Sequence, residues 1–204
     1  MKTKHVFQFA MSLALVVLIA SCGGKKTETT AHDEHDHAAA TEAPAAETAE
    51  IKAFENVDAS VKTQINGLLA NYFAINKALI EDNHDGAKSE AKTFADNLAK
   101  FDMSKLVGEQ MDFYHVQLAK ISSGLKQITE SVDIEESRTE LASVSEGMYA
   151  LVKAYHPNET ELYYQFCPMA KNNEGAYWVS NTKEIVNPYM GQRMPACGMT
   201  KEKL

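Results

Sequence analysis

Two cysteines near the end of the chain offer the residue types most capable of chemistry. Cys167 stands in the stretch YYQFCPMAKNNEGAYWVS, and Cys197 stands 30 residues later in MPACGM. Each is followed at the second position by a methionine, so the frame Cys-x-Met occurs twice, ending at Met169 and Met199. Gly198 gives the second frame a permissive backbone. Because thiolate and thioether are soft ligands that select Cu(I) over Mg²⁺ or Ca²⁺, a copper site is one interpretation of this pattern.

A disulfide is the competing interpretation of the same two residues. In an oxidising compartment, two cysteines in a loop-rich segment are candidates for a structural bridge, and methionines commonly fill gaps in cores. The chain has no Cys-x-x-Cys pair, so a zinc finger or a thioredoxin-like motif is not predicted. The residues alone leave both interpretations open, since a bridge when oxidised and a dithiolate when reduced are compatible.

The first 22 residues predict export and lipid modification. A positively charged start precedes an almost wholly apolar run over residues 6–20, and the lipobox IASC ends at Cys22. The run is shorter than the roughly 20 residues that span a bilayer comfortably. We therefore expect a signal peptide over residues 1–22 and a lipid anchor on Cys22. Because Gly23 rather than an aspartate follows, the expected location is the outer membrane, facing the periplasm.

Residues 23–50 contain no large apolar side chain, so they cannot bury enough surface to offset the entropy of ordering. We expect a disordered tether. Its HDEHDH stretch places His32, His35 and His37 among three carboxylates, a composition that loosely holds Cu(II), Zn²⁺ or Ni²⁺. The same composition equally suits a solvated linker that binds nothing.

Residues 51–204 are long enough for one domain with a real core. Apolar residues recur at steps of three and four through most of this part, and the short connections favour an all-α, antiparallel up-down four-helix bundle. Asp85 is expected to cap the second helix, and Asp133 with Glu136 resembles a capping box for the fourth. The predicted helices are about 57–79, 85–101, 106–130 and 134–155.

The amino-acid composition and periodicity differ in residues 157–204, approximately, from those of the preceding part. Aromatic residues concentrate there, four of the five prolines lie there, and helical periodicity ends. We expect an irregular extension across the bundle, with a short β-hairpin from Leu162–Phe166 and Ala176–Ser180. An ordered segment of this kind either caps the bundle or builds a site.

Charge and motif content narrow the function classes. The formal net charge of -8 argues against a nucleic-acid partner. No nucleophile–base pair, oxyanion motif or pair of catalytic carboxylates can be picked out of the sequence, so an enzyme is not expected.

The segments YQFCPMA, GAYWVS and IVNPYMGQRMPACG resemble the domain-of-unknown-function family 3347. The resemblance extends over about residues 54–200, and its tail motif falls on Cys167, Met169, Met194 and Cys197. It implies a helical domain associated with copper handling, of the kind found in envelope proteins or attached to periplasmic adaptor subunits of heavy-metal efflux pumps.

Three further residues complete the candidate metal ligands. Met199 lies outside the matching motif, so its role rests on the Cys-x-Met spacing. His115, beside Tyr114 on the third helix, resembles a histidine of that family and is either a nitrogen ligand or a hydrogen-bonded residue at the bundle edge. His156 favourably caps the negative end of the fourth helix, and it also begins the segment that leads to Cys167.

These expectations combine into two alternative functions. The first is an envelope lipoprotein that binds Cu(I) through its C-terminal Cys/Met site and buffers it or passes it to an efflux adaptor or pump. The second is a structural or protein-interaction lipoprotein in which Cys167 and Cys197 form a disulfide and no metal binds.

Overall fold

The computed structural model describes residues 50–157 and 160–204, and these described residues belong to one compact unit. The predicted signal peptide, Cys22, and the tether with its His32, His35 and His37 lie outside the described residues. Four long helices come first in the described part. They are α1 (Ala59–Ile80), α2 (His84–Leu98), α3 (Glu109–Glu130) and α4 (Ile134–Tyr155).

Side-chain caps define where α1 and α2 begin. The Asp58 carboxylate accepts a hydrogen bond from the Ser60 N–H at the start of α1. At α2 the cap is Asn83, whose Oδ1 accepts from the Gly86 N–H at 2.9 Å. The prediction that Asp85 caps this helix is therefore wrong, because Asp85 lies in the first turn, where its charge still favours the helix dipole.

The start of α4 follows its prediction closely. The Asp133 carboxylate accepts from the Glu136 N–H at 2.9 Å, and the Glu136 carboxylate reaches back to the Val132 N–H at 2.7 Å. This reciprocal pair is the capping box expected from the sequence, with its return bond one residue further out. The helix ends where His156 adopts a left-handed conformation, φ 43°, ahead of Pro157.

The helices pack through a continuous apolar core. Contacts join α1 to α2 and α4, and α3 to α2 and α4. Two glycines bring α3 and α4 close together: a Cβ on Gly147 would lie 2.5 Å from Ile121, and one on Gly124 would lie 2.7 Å from Val144. Within the described residues, no helix has the length and apolar character to cross a membrane. The fully buried aliphatic residues include Ile65, Ile75, Leu79, Ile121, Leu125, Ile128, Leu141 and Leu151.

A small antiparallel sheet follows the helices. Its strands are β1 (Tyr163–Cys167), β2 (Ala176–Ser180) and β3 (Met199–Lys203), in the order β2-β1-β3. The predicted hairpin is present as β1 and β2. The third strand was not predicted, so the fold is mostly helical with a C-terminal sheet rather than all-α with an irregular extension.

The two faces of the sheet are buried against different parts of the chain. On one face, Tyr164 stacks between Tyr149 of α4 and Tyr177, with ring centroids 3.8 and 4.8 Å away. The opposite face carries the side chains of Gln165 and Cys167, because side chains alternate along a strand. Residues 181–198 cover this second face, where the Gln165 amide donates to three successive carbonyls of residues 182–184.

Candidate metal centre

The structure brings the two cysteines together as free thiols. Cys167 is fully buried at the end of β1, and Cys197 is partly exposed just before β3. Their Sγ atoms lie 3.1 Å apart. A disulfide bond is about 2.05 Å long, whereas two thiolates on one metal, each bonded at about 2.3 Å, lie about 3.8 Å apart. A shift of about 1 Å or less therefore converts the pair into either arrangement.

The surroundings of Cys197 favour its protonated form. Burial raises the pKa of the Cys197 thiol to about 11, and the hydrogen bond and charge of Cys167 act in the same direction. At neutral pH, Cys197 is therefore a weak nucleophile, since reactivity follows the thiolate fraction. A metal that binds here must displace protons.

A single buried amide fixes the backbone around Cys197. The Asn187 Oδ1 accepts from the N–H groups of Tyr189 and Met190 at 2.8 and 3.1 Å. Its Nδ2 donates to the Cys197 carbonyl at 2.5 Å. Sequence reasoning missed Asn187, although the Asn-Pro dipeptide that it begins is a turn signal.

Gly198 lets the chain pass close to the sheet. Its φ is +139°, and a Cβ at this position would lie 2.8 Å from the Phe166 carbonyl oxygen and 3.0 Å from the Trp178 ring. Only glycine fits without displacing one of these groups. The close passage places the neighbouring Cys197 over the end of β1.

The methionines fall into two groups. Met169 and Met190 line one surface cavity of about 620 Å³, beside the first turns of α4. Met194 is partly exposed, and its carbonyl accepts from the Cys197 N–H at 3.1 Å. Met199 pairs in register with Phe166, so its side chain lies on the sheet face opposite that of Cys167. Met190 is thus a thioether that sequence reasoning did not select.

A buried arginine connects the edge of this cavity to the helices. Arg138, whose side chain is only 5% exposed, pairs with Glu135 at 2.7 Å and with Asp82 at 2.5 Å. It also donates to the carbonyls of Leu79 at 2.8 Å and Pro188 at 3.2 Å. Since Pro188 follows Asn187, the guanidinium ties the α1–α2 junction to the turn that holds Cys197.

The two candidate histidines lie towards the other end of α4. His156 follows its last residue, whereas the cavity lies beside residues 132–139, about 25 Å away along the helix. His115 is exposed near the start of α3, and this region meets the end of α4 because the Tyr155 hydroxyl donates to the Gln110 carbonyl. Residues 50–157 and 160–204 contain no group of three or more His, Cys, Asp or Glu side chains placed to hold a metal.

Comparison with known proteins identifies a family for the helical part. The model described as Protein of unknown function (DUF3347) matches residues 68–160. This match confirms the family suggested by the sequence, but it ends before β1. The tail motif with Cys167 and Cys197, which carried the resemblance, lies outside the matched residues. No curated protein and no solved structure gives a significant match to the chain.

Proposed function

We propose that this chain, whose residues 68–160 match a family of unknown function, binds Cu(I) through Cys167 and Cys197 and buffers it or delivers it to a heavy-metal efflux system. The observation that carries the proposal is the pair of free thiols with Sγ atoms 3.1 Å apart. The two residues are separated by 30 positions, so the fold itself must create this proximity.

The chemistry of the donor set favours Cu(I) as the cargo. The described residues hold no group of three or more His, Cys, Asp or Glu side chains placed for a metal, so the proposed donors are the two thiolates and neighbouring thioethers. Sulfur donors select Cu(I), whereas Zn²⁺ sites usually complete four ligands with further thiolates or imidazoles. Met169 and Met194 are the thioethers proposed to assist the thiolates, and Met190, which lines the same cavity as Met169, is a further candidate. His115 and His156 are the less favoured donors, since they lie near the far end of α4.

The wider setting of the site is also part of the proposal. A lipid on Cys22 anchors the protein in the outer membrane, and the histidines of residues 32–37 capture metal loosely. The helices run up and down as an antiparallel bundle that carries the C-terminal sheet. The protein acts by binding and transfer and not as an enzyme, with an efflux adaptor or pump as its partner.

The competing proposal is a structural or interaction lipoprotein in which Cys167 and Cys197 close into a disulfide. The same separation supports it, because a contraction of about 1 Å gives the bond. The two proposals differ under reducing conditions. The first requires the two thiols to bind Cu(I), whereas the second requires them to stay joined as a disulfide.

A Cu(I) titration of the reduced protein against a competing chelator tests the copper site. We expect about one Cu(I) per chain, bound more than about tenfold more weakly by Cys197→Ser. Met169→Leu removes a thioether while conserving volume, so it weakens Cu(I) binding with a stability change below about 1.5 kcal/mol. Met111→Leu, on α3 and packed against the helical core, is the matched control and leaves Cu(I) affinity unchanged.

Two results together would overturn the copper site. One is a Cu(I) affinity of the Cys197→Ser variant equal to that of the wild type. The other is an air-purified protein whose Cys167–Cys197 bridge resists mild reductant. Loss of roughly 2–5 kcal/mol of stability in Cys197→Ser would then support the structural disulfide.

A further inference from the structure

We propose that Asn187 is a positioning residue that holds the Cys197 thiol against Cys167. Its side chain is fully buried and uses both ends of its amide. The oxygen accepts two backbone N–H groups, at Tyr189 and Met190, while the nitrogen donates to the Cys197 carbonyl. One amide therefore joins two separate turns within residues 181–198.

The backbone of Asn187 adds to this connection. Its N–H donates to the Pro195 carbonyl at 2.9 Å, and its carbonyl accepts from the Gly191 N–H at 3.0 Å. The turn at Cys197 is thus attached to Asn187 through both the amide and the main chain. Residues 181–198 lie between β2 and β3, so these bonds, rather than a strand ladder, set the position of the thiol.

The opposite side of the Asn187 turn is fixed to the helices. Arg138 of α4 donates to the Pro188 carbonyl, and Gly191 packs so closely on Arg138 and Asp82 that a Cβ would lie 2.1 and 2.0 Å from their atoms. The turn is therefore anchored on the helical part and presents its amide to Cys197. Asn187 therefore connects the helical part of the protein to the pair of thiols.

Loss of the amide nitrogen should separate the thiols. Asn187→Asp keeps an oxygen for the N–H groups of Tyr189 and Met190 but removes the donor to the Cys197 carbonyl. A buried carbonyl without a donor is unfavourable, so the Cys197 turn moves to find another partner. The effective concentration of one thiol at the other then falls by about tenfold or more, the size expected for one unsatisfied buried group.

Equilibration of the full chain with glutathione measures this quantity without copper. In the reaction, the Cys167–Cys197 bond forms, the sulfur–sulfur bond of oxidised glutathione breaks, and the two thiol hydrogens leave on two reduced glutathiones. Asn187→Ala is measured beside Asn187→Asp, since the neutral alanine avoids a buried charge. Asn66→Asp is the matched control, because Asn66 also donates to a carbonyl, that of Pro157 at 2.8 Å.

The positioning role requires both Asn187 variants to lower the equilibrium constant for disulfide formation, with Asn66→Asp at the wild-type value. If Asn187 only stabilises the fold, its replacement lowers the melting temperature and leaves this equilibrium constant unchanged. That result overturns the proposal. Its importance for copper rests on the proposed function. If the constant falls while no variant, nor the wild type, binds Cu(I), the positioning role stands and the copper function fails.

Discussion

The helices (residues 59–155) and the C-terminal segment (residues 160–204) build their cores by different means. The helical core is largely aliphatic and repeats every three or four residues. The C-terminal segment buries Trp178 and Tyr189, and two of its buried polar side chains, Gln165 and Asn187, hydrogen-bond to the backbone of residues 181–198. Aliphatic packing tolerates many sequences of suitable volume, whereas buried polar groups need particular partners. The candidate metal centre lies in the part where buried side-chain amides fix the position of residues 181–198.

The largest expected effect is a loss of stability after a substitution in the helical core. Unfolding is then followed separately in the helices and in the C-terminal segment. Leu125→Ala, at a fully buried position of α3, should lower the free energy of unfolding by about 2–5 kcal/mol. Far-UV circular dichroism follows the helices, and the fluorescence of Trp178, the single tryptophan, follows the C-terminal segment. If the two parts unfold as one unit, both transitions shift together.

A matched control for Leu125→Ala is Val116→Ala on the same helix, where the side chain is 57% exposed and the change should stay within about 0.5 kcal/mol. An unshifted fluorescence transition in Leu125→Ala would show that the C-terminal segment is stable without the helices.

A second test probes the electrostatics of the C-terminal segment. Because burial raises the pKa of Cys197 from 9.0 to about 11, its thiolate fraction at pH 8 should be about a hundredfold below that of an ordinary thiol. Alkylation of Cys197, followed by mass spectrometry, should be slow at pH 8 and accelerate up to about pH 11. An alkylation midpoint near pH 9.0, the ordinary value for the thiol, would contradict the buried position of Cys197.

Arg138→Met tests the connection between the two parts. Methionine keeps an apolar stem but leaves the carbonyls of Leu79 and Pro188 without their guanidinium donor, a loss of about 2 kcal/mol. Alkylation of Cys197 should also become faster, because the Pro188 turn loosens. Lys77→Met removes an exposed ion pair with Glu81 and is the control that should change neither property.

The smallest effect is expected from the acidic partner of the same arginine. The hydrogen bond from Arg138 lowers the pKa of Asp82, so the stabilisation is present above the ordinary pKa of an aspartate and is lost as pH falls through the lowered value. Since the carboxylate is 41% exposed, the contribution should stay below about 1 kcal/mol. Wild type should be more stable than Asp82→Asn at pH 7, and their stabilities should converge as the pH falls below the ordinary value of 3.8 and through the lowered pKa. An equal difference at pH 7 and below the lowered pKa would exclude this linkage.

Sequence reasoning recovered the helices because local rules determine them. The apolar period located all four, and the Asp133–Glu136 pair marked the start of α4. It failed where a tertiary contact decides the outcome. The third strand is polar and exposed, with the residues MTKEK, so only its pairing with β1 identifies it as a strand.

The candidate site likewise has some features that the sequence indicates locally and others that depend on tertiary contacts. The expectation that Cys167 and Cys197 come together is confirmed by the 3.1 Å between their Sγ atoms. Met199 stays a predicted ligand by its spacing alone, and strand alternation turns its side chain to the face of Phe166. Asn187 and Met190 gave no local signal strong enough to connect them to a residue seven or more positions away.

The pairing of β3 with β1 has a kinetic consequence. Helical contacts close short loops, but β1 must wait for a strand that begins 32 residues after its own last residue, with Cys167 and Cys197 at the two sides of this loop. Non-local pairing forms slowly relative to local contacts. We therefore expect β3 to dock on β1 after the helices have formed, so that the two thiols are brought together late in folding.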